Sequence, residues 1–221
     1  MDDYIEELRM RIKRRFPFDD VKDIIDNKFI IIAGGSFSKE KPHDFDIYPE
    51  NNQKFSFRSA ADSPLFQSKN AKTYKTIDGI ILQFCDYKKD TINLLVDSFD
   101  FAHCQIGAVV SLENKTIGKP YCTQAFIKSK MLETTWFTGS EYPLASLIRM
   151  NKYIKRGHFE GRSWMWETFK ILTAILKRGV GDYTDFKDQL DAVDLGLLPE
   201  EVEKAGFEDL MELFRLLQVK R

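Results

Sequence analysis

The apolar positions of this chain recur with two different periods, and the change from one to the other divides it. Tyr4, Ile5, Leu8 and Ile12 fall at helical spacing among charged neighbours, which predicts an amphipathic helix over residues 2–15 that ends at Phe16-Pro17. Asp19 or Asp20 is placed to cap a second short helix running towards Asn27. Phe29 to Ala33 is then an unbroken apolar run, rich in branched side chains and closed by Gly34-Gly35. Such a run predicts a buried strand covered on both faces. A second strand is predicted over Asp44 to Tyr48, stopped by Pro49. Residues 50–70 read as loop, with room for one short strand at Phe55 to Phe57. Thr73 to Thr76 and Ile80 to Phe84 alternate as a hairpin around Asp78-Gly79. Thr91 to Ser98 reads as a short helix, Phe99 to Val110 as a long strand, and Asn114-Lys115 as a turn.

From Tyr121 onward the texture turns helical. Ala145 to Arg156 and Ser163 to Leu176 are the clearest helices, the first preceded by Pro143, and Gly179 to Gly181 break the pattern. Two more helices are predicted near 184–194 and 207–217. A mixed α/β part followed by an all-helical part predicts an α+β chain of two domains, 1–120 and 121–221. There is no internal repeat and no low-complexity segment.

Composition narrows the class. The chain has 221 residues, 33 basic and 34 acidic side chains, a net charge of −1 and eighteen Phe, with 43% hydrophobic residues. These values fit an ordinary globular protein and exclude a disordered one. They also argue against a protein that grips nucleic acid by bulk charge, although a local basic face remains compatible. No uncharged apolar stretch reaches the length of a membrane span, and the charged start MDDYIEELRMRIKRR is not a secretory signal. Cys85, Cys104 and Cys122 are odd in number and widely spaced, so a reduced, cytoplasmic setting is expected. His103 lies beside Cys104, but with no CxxC pair and no second histidine at ligand spacing, zinc is not expected.

One segment, IIIAGGSFSKEKPHDFDIYP, carries chemistry. Asp44 and Asp46 lie two apart on a predicted strand, so both point to one face while Phe45 and Ile47 point to the other. Two neighbouring carboxylates repel and resist desolvation, and a hard divalent cation such as Mg²⁺ (or Mn²⁺) removes that penalty. Without a Cβ, Gly34 and Gly35 allow a tight turn and close backbone approach to a ligand. Ser36 opens the next turn or short helix, whose N–H groups suit an anion. A phosphate cradle facing a carboxylate pair suits transfer at the α-phosphorus of a nucleoside triphosphate. Lys39 and Lys41, in the connecting loop, are placed to meet the outer phosphates. A third carboxylate is expected from another strand, and Asp97 and Asp100 are the candidates. Asp100 is preferred because it stands between Phe99 and Phe101 at the start of the predicted strand, whereas Asp97 falls near a helix end.

The pattern of strand, Gly-Gly-Ser, Asp-x-Asp and later acidic strand resembles the DNA polymerase β-type nucleotidyltransferase superfamily. The segments FDFAHCQIG and RMNKYIKRG resemble uncharacterised nucleotidyltransferase-like proteins common in phage genomes. The resemblance covers residues 25–160 and implies a nucleotidyltransferase fold, a small mixed sheet flanked by helices, followed by a helical domain. It implies that Gly35 and Ser36 form the phosphate motif, that Asp44 and Asp46 are paired metal ligands, and that Asp100 is the third carboxylate and activates the attacking hydroxyl. The seven residues between Ser36 and Asp44 are few for the superfamily, which bears most on Lys39 and Lys41.

In the helical half, Arg149, Lys152, Tyr153 and Arg156 share one helix face and suit a triphosphate or a nucleic-acid backbone. Arg149 and Lys152 are expected to neutralise the leaving group. Trp164, Trp166 and Phe169 are expected in the core, and the basic run Arg9 to Arg15 is read as a solvated face. The expected activity is transfer of a nucleoside monophosphate from an NTP to an acceptor hydroxyl, the acceptor being RNA or another molecule. The rival expectations are a catalytically silent member of the same fold that binds nucleotide or RNA, and a module that binds a protein partner.

Overall fold

The computed structural model describes residues 2–59, 63–87, 89–190, 206–209 and 211–212. The chain forms two compact units, residues 1–138 and 139–221. The first is a mixed sheet flanked by helices and the second is helical, an α+β arrangement.

In the first unit, α1 (Asp2–Arg15) buries Ile5, Leu8 and Ile12, the stripe that its spacing predicts. α2 (Phe18–Ile24) adds Val21 and Ile24. The strands are β1 (Phe29–Ala33), β2 (Asp44–Pro49), β3 (Phe66–Gln67), β4 (Ala71–Lys75), β5 (Ile81–Cys85), β6 (Ile106–Ser111), β7 (Thr116–Ile117) and β8 (Tyr121–Cys122). They lie in the order β3-β4-β5-β2-β1-β6-β7, with β8 also paired to β6. β2 and β5 run parallel, and the other pairs are antiparallel. A short helix, α3 (Ile92–Asp97), joins β5 to the later strands, capped by the Thr91 hydroxyl accepting from Leu94 N–H. α4 (Gln124–Met131) follows β8 and is capped in the same way by Thr123.

The two faces of the sheet are unequal. One face carries Ile30, Ile32, Phe45, Ile47, Leu82 and Phe84, buried with the apolar residues of α1, α2 and α4 in the main core. Burial stabilises in proportion to the apolar surface removed from water, at about 25 cal/mol per Å², and this face holds the larger buried cluster. The other face carries Ile31, Ala33 and Tyr48 under Leu95 and Val96 of α3, a smaller cluster that leaves the polar positions of β2 and β5 half-buried.

Three expectations change. The long strand over Phe99 to Val110 does not form. Phe101 makes an isolated bridge to Phe137, a 3-10 turn spans Ala102–Cys104, and only Ile106–Ser111 is strand. Side chains fix this detour. The Gln105 amide donates to the carbonyl oxygens of Phe99 and Asp97, and the Gln105 carbonyl oxygen accepts from the Thr123 hydroxyl. The division between units falls after Thr138, later than residue 120, because β8, α4 and Phe137 all pair or pack with the sheet unit. At Phe55 to Phe57 there is only a bridge from Phe57 to Ile25.

The second unit holds α5 (Pro143–Lys155), α6 (Ser163–Arg178) and α7 (Tyr183–Leu190). Pro143 occupies the first turn of α5, where its missing N–H costs nothing. Gly179, at φ +74°, ends α6. α5 and α6 pack together, with Thr168 meeting Met150. Trp166 and Phe169, expected in the core, are instead 73% and 59% exposed, and Trp164 is 36% exposed. The face of α6 that is buried runs through Glu167, Ile171 and Ile175, so the aromatic residues fall on the other side. Of the last predicted helices, residues 191–194 and most of 207–217 lie outside the described residues.

Candidate active site

β1 delivers the chain to Gly34, which has φ +88° and ψ −143°, a conformation that a side chain would strain. The turn is anchored at both ends. Gly34 N–H donates to the Ile106 carbonyl oxygen at 2.9 Å, and Phe37, 1% exposed, packs into the main core. A Cβ on Gly34 would lie 3.5 Å from Asp46 Oδ2, so the glycine is where backbone and carboxylate approach. A Cβ on Gly35 would meet nothing within 4 Å. Ser36 opens the 3-10 turn Gly35–Ser38, is 3% exposed, and its Oγ has no hydrogen-bond partner among the described residues. A buried hydroxyl in that condition carries an unmet polar demand.

Asp44 and Asp46 stand on β2 as its alternation predicts. Both are half-buried on one face, while Phe45 and Ile47 are fully buried on the other. Asp46 pairs in register with Ala33 of β1 and with Gln83 of β5, and Gln83 pairs in turn with Thr73 of β4. Paired residues share a face, so Thr73, Gln83 and Asp46 form a polar row across three strands. Sequence reasoning passed over Gln83. Its signal was present in the alternation of β5, where Leu82 and Phe84 are buried and Gln83 stands between them. Asp44 pairs in register with Ile81 and forms an ion pair through Oδ1 with the Lys39 ammonium. Arg11 of α1 ties down the same loop by donating to the Lys39 carbonyl oxygen at 3.2 Å. Lys41 and His43 are exposed.

The other candidate acids sit differently. Asp97 ends α3, and its Oδ1 accepts from the Tyr121 hydroxyl at 2.9 Å. Burial, and then this hydrogen bond to a carboxylate, raise the Tyr121 phenol above its ordinary pKa and keep it a donor. Asp100 is 5% exposed in the irregular segment before the 3-10 turn, not on a strand, and its carbonyl oxygen accepts from Thr138 N–H. Among the described residues no group of three or more His, Cys, Asp or Glu side chains is placed to hold a metal ion. Asp44 and Asp46 thus share one face of β2, while Asp100 is buried in the segment that precedes the 3-10 turn. His103 is buried, with Nδ1 2.8 Å from Thr135 Oγ1 and Nε2 3.4 Å from Cys104 Sγ. Arg149 and Lys152 lie on α5 in the second unit, the first half-buried and the second exposed.

The structure places two carboxylates on one face of β2, the Gly34 turn against Asp46, and a buried unpartnered hydroxyl within that turn. Carboxylate oxygens are the ligands Mg²⁺ prefers, and Mg²⁺ is commonly held by one or two of them together with substrate phosphates. The residues present fit that ion in company with a phosphate, and they do not fit a cage built from protein ligands alone. Among the described residues no helix is long and apolar enough to cross a membrane.

No family model matches the chain, and no curated protein matches it. Among solved structures it is similar to the Thermotoga maritima CCA-adding enzyme complexed with tRNA, at 14% sequence identity and a TM-score of 0.43. The match covers 96% of this chain and 51% of that one, so this chain spans about half the length of the enzyme it resembles.

Proposed function

We propose that this site binds a nucleoside triphosphate with Mg²⁺ and transfers its nucleoside monophosphate to an acceptor hydroxyl, on a nucleotidyltransferase-type fold. The observation that carries the proposal is the pair Asp44 and Asp46, half-buried on one face of β2, with the Asp46 carboxylate against the backbone of Gly34. In this reading both carboxylates hold the ion, which when bound would neutralise charge on the triphosphate. The turn at Gly34, Gly35 and Ser36 receives the β- or γ-phosphate, and the Ser36 hydroxyl gains the partner it lacks. Lys39, which pairs with Asp44, would meet the outer phosphates. The acceptor oxygen bonds to the α-phosphorus, the bond to the bridging oxygen breaks, pyrophosphate leaves, and the hydroxyl proton goes to solvent.

A second reading is favoured by Gln83. An amide beside Asp46, where the sheet offers room for another acid, suits a protein that binds nucleotide without turning it over. One experiment separates the two: each of the four NTPs with Mg²⁺ or Mn²⁺, followed by pyrophosphate release and by thermal shift. Release that is lost in Asp46→Asn supports transfer. A thermal shift with NTP and metal but no release supports silent binding. Neither signal with any NTP sinks both, and leaves a protein-partner role.

A further inference from the structure

We infer that α6 carries a binding face for single-stranded nucleic acid. Residues 149–178 hold eight basic and two acidic side chains, in a chain whose net charge is −1. On α6 itself the only acid is Glu167, which is buried and accepts from Lys170 Nζ at 2.8 Å. The exposed positions of α6 therefore carry Lys170, Lys177 and Arg178 and no carboxylate, with Arg178 held by Asp185 of α7. Trp166, Phe169, Lys170, Thr173 and Lys177 recur at steps of three and four and so share one face, where with Ala174 they line an open groove of about 380 Å³. The Trp166 and Phe169 rings are 6.2 Å apart and inclined at 56°, so neither covers the other by stacking.

Exposed aromatic rings interleaved with lysines match the chemistry of single strands. Bases stack on the rings, phosphates meet the cations, and no sequence need be read. A duplex keeps its bases stacked on one another and offers the rings nothing comparable. The neighbouring apolar side chains Met165, Leu172 and Leu176 are also exposed and would suit a protein helix. The surplus of cations over residues 149–178 and the lack of an exposed acid on α6 itself favour a polyanion. The inference does not depend on nucleotidyl transfer.

The test is fluorescence anisotropy of the full chain with labelled oligouridylate, oligothymidylate and a duplex of equal length. Single strands are expected to bind, and Trp166→Ala and Phe169→Ala each to weaken binding on the order of tenfold. Lys170→Gln combined with Lys177→Gln is expected to lower the slope of log affinity against log salt by about 1.4. Trp166→Phe, which keeps a stacking ring, is expected to restore most of the affinity, and far-UV circular dichroism checks that each variant is folded. Failure of single strands to bind at low salt overturns the inference, as does binding that ignores both aromatic substitutions or a duplex bound equally well. Self-association that Trp166→Ala abolishes, without oligonucleotide binding, assigns the face to a protein and also overturns it. Oligonucleotide binding without pyrophosphate release leaves this face standing and removes nucleotidyl transfer. The reverse result removes this face alone.

Discussion

Asp44-Phe45-Asp46 and Phe99-Asp100-Phe101 look alike as strings, each alternating aromatic and acid, yet they fold to different ends. The first is a regular strand held on both sides by register pairing, so its acids emerge together on the thinly covered face of the sheet. The second leaves the sheet, puts Phe101 into the core and buries Asp100 to 5% exposure. An acid on a regular strand beside a glycine turn is available to a ligand. An acid in a segment bent by the Gln105 hydrogen bonds is withdrawn from solvent instead. The difference lies in the neighbours that each stretch of backbone finds.

Substitution of the acids is the most direct way to break this comparison. Asp46→Asn is expected to cut pyrophosphate release at least about a hundredfold, the scale on which removing one electrostatic contributor to a transition state acts. Asp100→Asn is expected to leave release nearly unchanged and to lower unfolding stability by about 1–3 kcal/mol, the scale of disturbing a buried polar group. Turnover assays and denaturant melts on both variants check this. Equal loss of turnover in the two would restore Asp100 to the site.

Gly107 sharpens the comparison from the scaffold side. It pairs with Ala33, the residue that also pairs with Asp46. A Cβ there would lie 2.9 Å from Ala33 Cβ and 3.1 Å from the Ile32 carbonyl oxygen. Backbone cannot retreat as a flexible side chain can, so Gly107→Ala is expected to cost about 1–3 kcal/mol by overpacking. The expected signature is a lower melting temperature, with NTP affinity reduced only in proportion to the folded fraction. A variant as stable as wild type would show that β1 and β6 are less closely apposed than this geometry requires.

Much of the sheet was legible because strict alternation leaves one choice of face, as at Asp44 to Tyr48, and because Gly34-Gly35 can be passed only by a turn. The segment from Phe99 to Gln105 was not. Phe101, Ala102, His103 and Cys104 are all buried, and a continuous apolar run looks the same whether it is strand or packed turn. What bends it is Gln105 capturing carbonyl oxygens, together with partners near residues 123 and 138. The aromatic residues of α6 failed for a related reason. That helix is apolar on more than one face, and periodicity does not say which face the rest of the chain covers. Gln83 was overlooked because acids draw attention as metal ligands and amides do not.

The smallest expected effect comes from an acid whose hydrogen-bonding capacity is nearly filled, which makes it the control for the other two. Asp185 on α7 accepts two hydrogen bonds from the Arg178 guanidinium, at 3.0 and 2.8 Å, a third from Gly181 N–H and a longer fourth, at 3.4 Å, from the Gln189 amide. The Arg178 hydrogen bonds, followed by the Gly181 N–H, lower its pKa to about 2. A depressed carboxylate adds stability above its unfolded-state pKa and loses that contribution as pH falls through the folded value. The stability difference between wild type and Asp185→Asn is therefore expected to be flat above pH 5 and to vanish on acidification towards pH 2. With both side chains about one-third exposed, solvent screening limits the difference to about 1 kcal/mol. Thermal melts of the two proteins across that range read it directly. Asp44 meets one flexible ammonium where Asp185 meets a fork and a backbone N–H. A carboxylate held by a single movable cation can exchange that cation for a metal ion, and one locked by four donors cannot. A pH-independent difference at Asp185 would undo the contrast, because it would mean that a nearly saturated acid and a singly paired one contribute alike.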